Sequence, residues 1–470
     1  MTILIQAFKR LFQGQDLTTG NTLRCIIMFA IPLLIGNVAQ LLYNTVDSIV
    51  IGRYVGDAAL AALGSATPIL VLFLVVFMSI GAGVCILVSQ YYGAREYGLL
   101  EASIGNSITL IAAASVILTT VGISLSAPAL RLINAPAESY EMARAYLIIC
   151  FIGVAGDGFY NIMSGVLRGM GDSVFPLMIL LFCTLLNTVL DIWFVAGLGM
   201  GVAGAAWATT IAKTASAVIL VIKVLRKRDI IRLRPHHLKL RKPIVRNICR
   251  LGIPSGLTQG MIFLAGIVVQ GLMNRMGVLV AATFTSLMKV DSFAVIPCQT
   301  FGAAASTFTG QNTGAGKPER VKKGARQSLL LALCFSAVMV VVLLLIGHRV
   351  FNLFTTTQEV IDMGMRFIRI LVPAYLMIAI SEVFGGIMRG AGDAIAPMWI
   401  SMIGNVFVRI PLTILAVHLT VSAAFPNGHP YSNFVVMDIC MLTQTILTLI
   451  VYSRGKWKNK AVVSARSRED

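Results

Sequence analysis

Apolar residues dominate the chain in blocks long enough for helices that cross a bilayer, with short polar breaks between them. A span needs about 20 mainly apolar residues. The blocks lie near 25–51, 58–88, 103–127, 138–165, 174–195, 201–224, 246–274, 280–309, 327–347, 360–387, 396–419 and 433–452. Lipid offers no water to backbone N–H and C=O groups, so runs of this length must be helices. An outer-membrane barrel would instead show alternating segments of about 10 residues, and these are absent from the sequence. The pattern predicts an all-α polytopic membrane protein with twelve transmembrane helices.

The blocks fall into two similar sets of six. VLRGMGD at Val166–Asp172 returns as IMRGAGD at Ile387–Asp393, an offset of 221. The same offset pairs Pro176 with Pro397, Gly165 with Gly386 and Gly81 with Gly302, and aligns SQYYGA with GQNTGA. One constant offset over separated segments marks an internal repeat. Six spans per unit make both units enter the membrane from the same side, so the lobes are parallel repeats related by a pseudo-two-fold axis. The division expected is an N-terminal segment 1–18, an N-lobe 19–224, a basic linker 225–245, a C-lobe 246–453 and a basic tail 454–470. In each RGxGD turn the glycines permit a tight reversal, and Asp172 and Asp393 can cap the next helix.

Polar residues interrupt the apolar spans in a regular way. In span one, Gln40, Tyr43, Asn44 and Asp47 fall at i, i+3, i+4 and i+7, one helical face. Span four carries Asp157, Asn161 and Ser164 with the same spacing, and span five carries Asn187 and Asp191 four apart. An ionisable group at the bilayer centre costs roughly 2.5–3.5 kcal/mol on insertion scales. Such groups face a cavity or a partner, and three stripes from one lobe point to a shared polar pocket. A carboxylate enclosed there favours a bound proton or cation over the bare anion. Asp47, Asp191, Asn187 and Asn161 are the candidates for cation or proton coupling, with sodium possible at Asp47, Asp191 and Asn187. Tyr43, Gln40, Asn44, Ser164 and Asp157 are the candidates for the substrate cavity. The bland reading is a set of satisfied interhelical hydrogen bonds. The C-lobe does not copy the set: Glu382, Lys289, Asp291 and Arg409 are expected there as a polar network, structural or gating, with ligand contact as the alternative. Lys213 and Asp438 lie at uncertain depths in the pattern and are given no role.

Composition agrees with the membrane reading: 57% of residues are hydrophobic and 12% charged, about half the charge of a soluble domain. The net charge of +18 does not point to nucleic acid. Lys and Arg cluster at the N-terminus, between spans six and seven, between eight and nine, and after Arg454, all on one side of a twelve-span chain. That is the positive-inside pattern, which predicts a multi-pass plasma-membrane protein with both termini cytoplasmic and basic loops against anionic lipid. Residues 1–17 read as a short amphipathic surface helix rather than a secretory signal. The eight cysteines sit singly, without CxxC spacing. The His236–His237 pair reads as solvated in a basic loop. No nucleophile–base, metal or GxxxxGK[ST] motif occurs, so neither enzyme nor ATPase is indicated.

The segment IPLLIGNVAQLLYNTVDSIVIGRYVG, the VLRGMGD turn and LLNTVLDIWFV together resemble the multidrug and toxic compound extrusion (MATE) family. VDSIVIG and the LNxxLD element resemble its DinF-like branch, and SLMKVDSF with TGQNTGAGKPERVKKG is similar to its MepA-type bacterial pumps. The resemblance covers residues from about Thr19 to Tyr452. It implies two six-helix lobes forming a V that opens alternately to each side. It also implies export of lipophilic or cationic organic compounds in exchange for protons or sodium ions; a monomer without cofactor in a bacterial cell membrane is expected beside it. The family's N-lobe acidic site maps onto Asp47 and Asp191, with Asn161 and Asn187 beside them and Tyr43 one turn from Asp47. Ser164 stands where some relatives carry Asn, and residues 252–274 contain no acid where other branches use one. The alternative reading is a flippase for lipid-linked intermediates; such proteins line the cavity with basic residues, whereas the N-lobe here offers acids.

Overall fold

The computed structural model describes residues 15–133, 136–227, 231–423 and 425–463, without the side chains of residues 42, 44–50 and 57. Among these residues all regular structure is helical. The first half comprises α1 (Thr22–Tyr54), α2 (Asp57–Ala94), α3 (Tyr97–Leu132), α4 (Ala137–Ile152), α5 (Val154–Gly169), α6 (Val174–Asp191) and α7 (Gly201–Arg226). The second comprises α8 (Lys242–Arg275), α9 (Val278–Gly314), α10 (Pro318–Phe351), α11 (Gln358–Gly390), α12 (Ile395–Met402), α13 (Ile410–Leu419) and α14 (Ser432–Ser453). Among the described residues eleven helical stretches are long and apolar enough to cross a membrane, and α4 with α5, bent by 49° at Gly153, makes a twelfth when the bent pair is taken as one span. Most of the amphipathic segment expected at 1–17 lies outside the described residues.

Two compact units emerge, one from Ile31–Gly256 with Met1–Leu17, the other from Thr18–Ala30 and Leu257–Asp470. The division cuts α1 two residues before Pro32 and α8 two residues after its Pro254. In the second unit, Lys317 Nζ donates to Thr18 O at 2.9 Å and the Arg320 guanidinium to Thr19 O and Gly20 O at 2.6 and 2.7 Å. The start of α1 is thereby tied down.

Small residues set the helix spacing, and they do so twice. In the first unit a Cβ on Gly165 would stand 2.7 Å from Gly81 O, and one on Gly169 2.7 Å from Cys85 O. In the second, Gly386 meets Gly302 and Gly390 meets Ser306 in the same way, backbone against backbone. Each partner pair is offset by 221 residues. Both halves therefore carry a GxxxG face, Gly165/Gly169 on α5 and Gly386/Gly390 on α11, which lets two helices approach closely where apolar burial gives little drive.

The RGxGD turns fold identically. Gly171 and Gly392 take φ of +86° and +100°, a left-handed conformation that glycine adopts without strain. Asp172 N bonds Leu167 O and Asp393 N bonds Met388 O, both at 2.9 Å, closing the preceding helix in a Schellman turn. The Asp172 carboxylate accepts from Phe175 N at 3.1 Å and that of Asp393 from Ala396 N at 3.3 Å, so both cap the next helix as expected. Each also holds a lysine that follows the sixth span of its half, Lys227 on Asp172 and Lys460 on Asp393, both at 3.3 Å or less. Asp172→Ala removes a cap worth about 1 kcal/mol and unpairs Lys227, whereas Asp172→Asn keeps the cap acceptor. Melting temperatures in detergent should fall in the order wild type, Asn, Ala. An Ala variant melting like wild type would free the turn of any stabilising role.

The basic linker is not wholly solvated. Asn106 on α3 donates to His237 O and Lys239 O and accepts from Arg241 N at 2.6 Å, and Thr109 donates to Leu238 O at 2.7 Å. Gly105 leaves room for the His237 backbone. His237 is 6% exposed rather than solvated. Burial and then the adjacent His236 push its pKa below the ordinary histidine value, with Glu101 opposing them. The ring is thus neutral at pH 7, and its 3.7 Å approach to Glu101 is a polar contact and not an ion pair.

Candidate functional site

The break at Gly153 re-aims the second half of span four toward α7. A Cβ on Gly153 would strike the Thr210 side chain, and one on Gly156 would lie 2.9 Å from Thr214 N. These two glycines seat α5 against the face of α7 that carries Thr210, Lys213 and Thr214. Asp157, next along α5, then meets Lys213: Asp157 Oδ1 and Lys213 Nζ are 3.2 Å apart. The same ammonium lies 5.1 Å from the Tyr160 ring centroid and 5.7 Å from that of Tyr43 on α1, within cation–π range. Tyr43 is buried and Gln40, one turn earlier, is half-buried.

Asn161 and Ser164 continue the Asp157 face. Asn161 Nδ2 donates to Asp157 O at 2.8 Å, and its backbone carbonyl packs on Gly81. Ser164 is buried, and its carbonyl accepts from Arg168 Nε at 3.4 Å. On α6, Asn187 and Asp191 are both enclosed, at 1% and 0% exposed. Asn187 Nδ2 donates to Thr209 Oγ1 of α7 at 3.3 Å. Asp191 ends α6 where the helix widens into a π-helical turn, Ile192–Gly197, a local form frequent at functional sites.

The side chains of Asn44 and Asp47 lie outside the described residues, but the backbone of α1 runs through both. Gly36 of α1 faces Leu177 and Leu180 of α6. Spans one and five run the same way through the membrane in a twelve-span chain. Eleven residues beyond Gly36 is Asp47, and eleven beyond Leu180 is Asp191. At 1.5 Å per residue that is about 16 Å along each helix; counted from Leu177, which Gly36 also faces, Asp191 lies about one turn further, so the two positions fall within roughly one helical turn in depth.

In the second unit the four residues expected as one network have three sets of partners. Glu382 accepts from Arg389 at 3.2 Å, two turns away on the same face of α11. Lys289 sits over the Phe354 ring at 5.4 Å. Asp291 is buried on α9 with Tyr375 of α11 and Arg409 as its charged and polar neighbours. Arg409 closes a second π-helical segment, Ile403–Arg409, between α12 and α13. Among the described residues, Arg409 Nε, Thr413 Oγ1 and both side-chain polar atoms of Asn433 are buried without a hydrogen-bond partner, whereas Asp291 and Tyr375 have each other. Groups of this kind are completed by water or a bound ion. Asp438 neighbours Tyr375, an association the sequence pattern does not indicate. Thr209, Lys213, Tyr160 and Tyr375 were also missed. Lys213 was visible as an intramembrane charge, and its i+3 spacing from Thr210 and place near mid-span were the available signal.

Comparison with known proteins gives one result throughout. The family model described as MatE matches residues 32–193 and 254–415, one copy in each half. The chain is 29% identical over 447 residues to the probable multidrug resistance protein YpnP of Bacillus subtilis, covering 95% of this chain and 98% of that protein. It is 27% identical over 404 residues to the probable multidrug resistance protein YoeA of the same organism, covering 84% and 87%. A crystal structure of MATE in complex with MaD3S shares the fold, with a TM-score of 0.87 at 23% identity over 95% of this chain and 99% of that one.

Proposed function

The chain belongs to the MatE family, and from that premise we propose that it is a secondary active antiporter exporting lipophilic or cationic organic compounds against a proton or sodium gradient. Multidrug resistance is named for the relatives YoeA and YpnP and multidrug export for MepA of Staphylococcus aureus, 20% identical over 436 residues. The observation that carries the ion-coupling part is Asp191, a fully enclosed carboxylate on an apolar span, within about one turn of Asp47 by helix register. A carboxylate kept at that depth is neutralised by a proton or a small cation. Asp47 and Asp191 bind the coupling ion, with Asn187 and Asn161 as neutral ligands or hydrogen-bond partners beside them. If both acids share one ion, their titrations are coupled and belong to the pair.

Transport follows if the ion and the organic compound prefer different conformations, because a ligand shifts an equilibrium only by its difference in affinity for the two states. Pro32 breaks the hydrogen-bond ladder of α1 fifteen residues before Asp47. Loading of Asp47 bends this helix there, and the substrate cavity narrows. The orphaned polar groups around Asp291 and Arg409 act as a gate that repacks in the same step. Both termini face the cytoplasm, and the basic linker lies against anionic lipid.

The deciding experiment is an ion swap in proteoliposomes containing a fluorescent organic cation. If sodium drives export, diluting external sodium at fixed pH collapses it; if protons do, export follows the pH gradient and ignores sodium. Export that persists with both gradients dissipated would refute antiport altogether.

A further inference from the structure

The carboxylate of Asp157 and the rings of Tyr43 and Tyr160 surround one point from different helices, α5 and α1. A carboxylate flanked by aromatic faces is the physical recipe for holding an organic ammonium, because charge attraction and ring quadrupoles add without demanding directional hydrogen bonds. In this chain the point is occupied by the protein's own ammonium, Lys213 Nζ, at 3.2 Å from the carboxylate and 5.1 and 5.7 Å from the rings. The pair is not sealed: the side chains of Lys213 and Asp157 keep 12% and 21% of their surface exposed. Lys213 reaches the box on a flexible four-carbon stem from α7, so it can leave without moving a helix.

We propose that Lys213 is a tethered competitor for the cation box, and that an organic cation binds against Asp157, Tyr43 and Tyr160 by displacing its ammonium. This rests on the reading that the unit accepts organic cations. A tethered group on a short flexible linker competes at an effective concentration in the millimolar range, so it excludes weak cations and yields to bulky ones with more ring contact. It also keeps Asp157 neutralised whenever the substrate has left. Asp157 therefore needs no coupling ion, which separates its task from that of Asp47 and Asp191.

The test uses purified full-length protein and equilibrium binding of tetraphenylphosphonium. Lys213→Met preserves length and removes the competitor, and it should bind at least about tenfold more tightly than wild type, a 1.4 kcal/mol change. Lys213→Arg retains a resident cation and should stay near wild type. Lys213→Met combined with Asp157→Asn removes both charges together and should lose the gain. A readout independent of variant folding is amine acetylation of the wild type followed by mass spectrometry. Saturating tetraphenylphosphonium should accelerate modification of Lys213 by freeing its ammonium. Unchanged or weaker binding by Lys213→Met, or slower acetylation under tetraphenylphosphonium, overturns the proposal while leaving cation export standing. Absence of binding in every form removes both readings.

Discussion

Asp47→Asn should abolish gradient-driven export in proteoliposomes, a loss of about 100-fold or more, while the protein still purifies as a monodisperse species. The substitution is nearly isosteric and removes the one feature that distinguishes an ion-loading group from a hydrogen-bonding one, its ability to alternate between charged and neutral. Coupling energies between sites are typically about 1–3 kcal/mol, or 5- to 150-fold, and coupled export fails once that energy is gone. Substrate binding in detergent should persist, because the organic compound contacts other groups. Asp191→Asn should fail likewise, and the double variant should be no worse than either single one, since residues that hold one ion act as a unit and do not add. Transport by Asp47→Asn at the wild-type rate, or additive losses in the double variant, would remove the shared ion from the mechanism.

Gly386→Ala should prevent recovery of folded protein altogether. The added methyl would be driven into the backbone carbonyl of Gly302, and neither partner has a side chain that could rotate away. Ordinary overpacking costs about 1–3 kcal/mol; a clash between two backbones must separate α9 from α11 and lose the packing along their whole crossing. Gly165→Ala, whose methyl would stand 2.7 Å from Gly81 O, should behave similarly in the first unit. Gly64→Ala on α2 is the matched control, since nothing lies within 4 Å of its added methyl. It should purify normally and melt at or slightly above the wild-type temperature. A well-folded Gly386→Ala protein would show that the crossing is looser than its geometry.

The spans, their number and the duplication could all be read from the chain, because lipid imposes a single period and length on every crossing and because a 221-residue offset survives in the order of residues. The stripes on spans one, four and five were legible for the same reason: residues three and four apart share a helix face whatever the face meets. What it meets was not legible. Lys213 pairs with Asp157 only because Gly153 breaks span four and Gly156 lets α5 settle on α7, and neither glycine carries a periodic signal. Arg389 of the second RGxGD turn reaches back two turns to Glu382. Asp291 and Arg409, 118 positions apart in the chain, become neighbours through the packing of the second unit, while Glu382 takes Arg389 as its partner and Lys289 lies over Phe354. The π-helical turns at Ile192 and Ile403 add a residue to a helical turn, and hydropathy does not register one extra residue.

The lysine held by each RGxGD turn also bears on how the chain is made. Lys227 is synthesised 55 residues after Asp172, and Lys460 follows Asp393 by 67. Domains of a nascent chain settle in order as they leave the ribosome. The carboxylate of Asp172 therefore waits, uncompensated, through the insertion of two further spans, and is neutralised only when the last helix of its half has arrived. A chain that stops short of Lys227 or Lys460 leaves the carboxylate of the corresponding turn without its lysine partner.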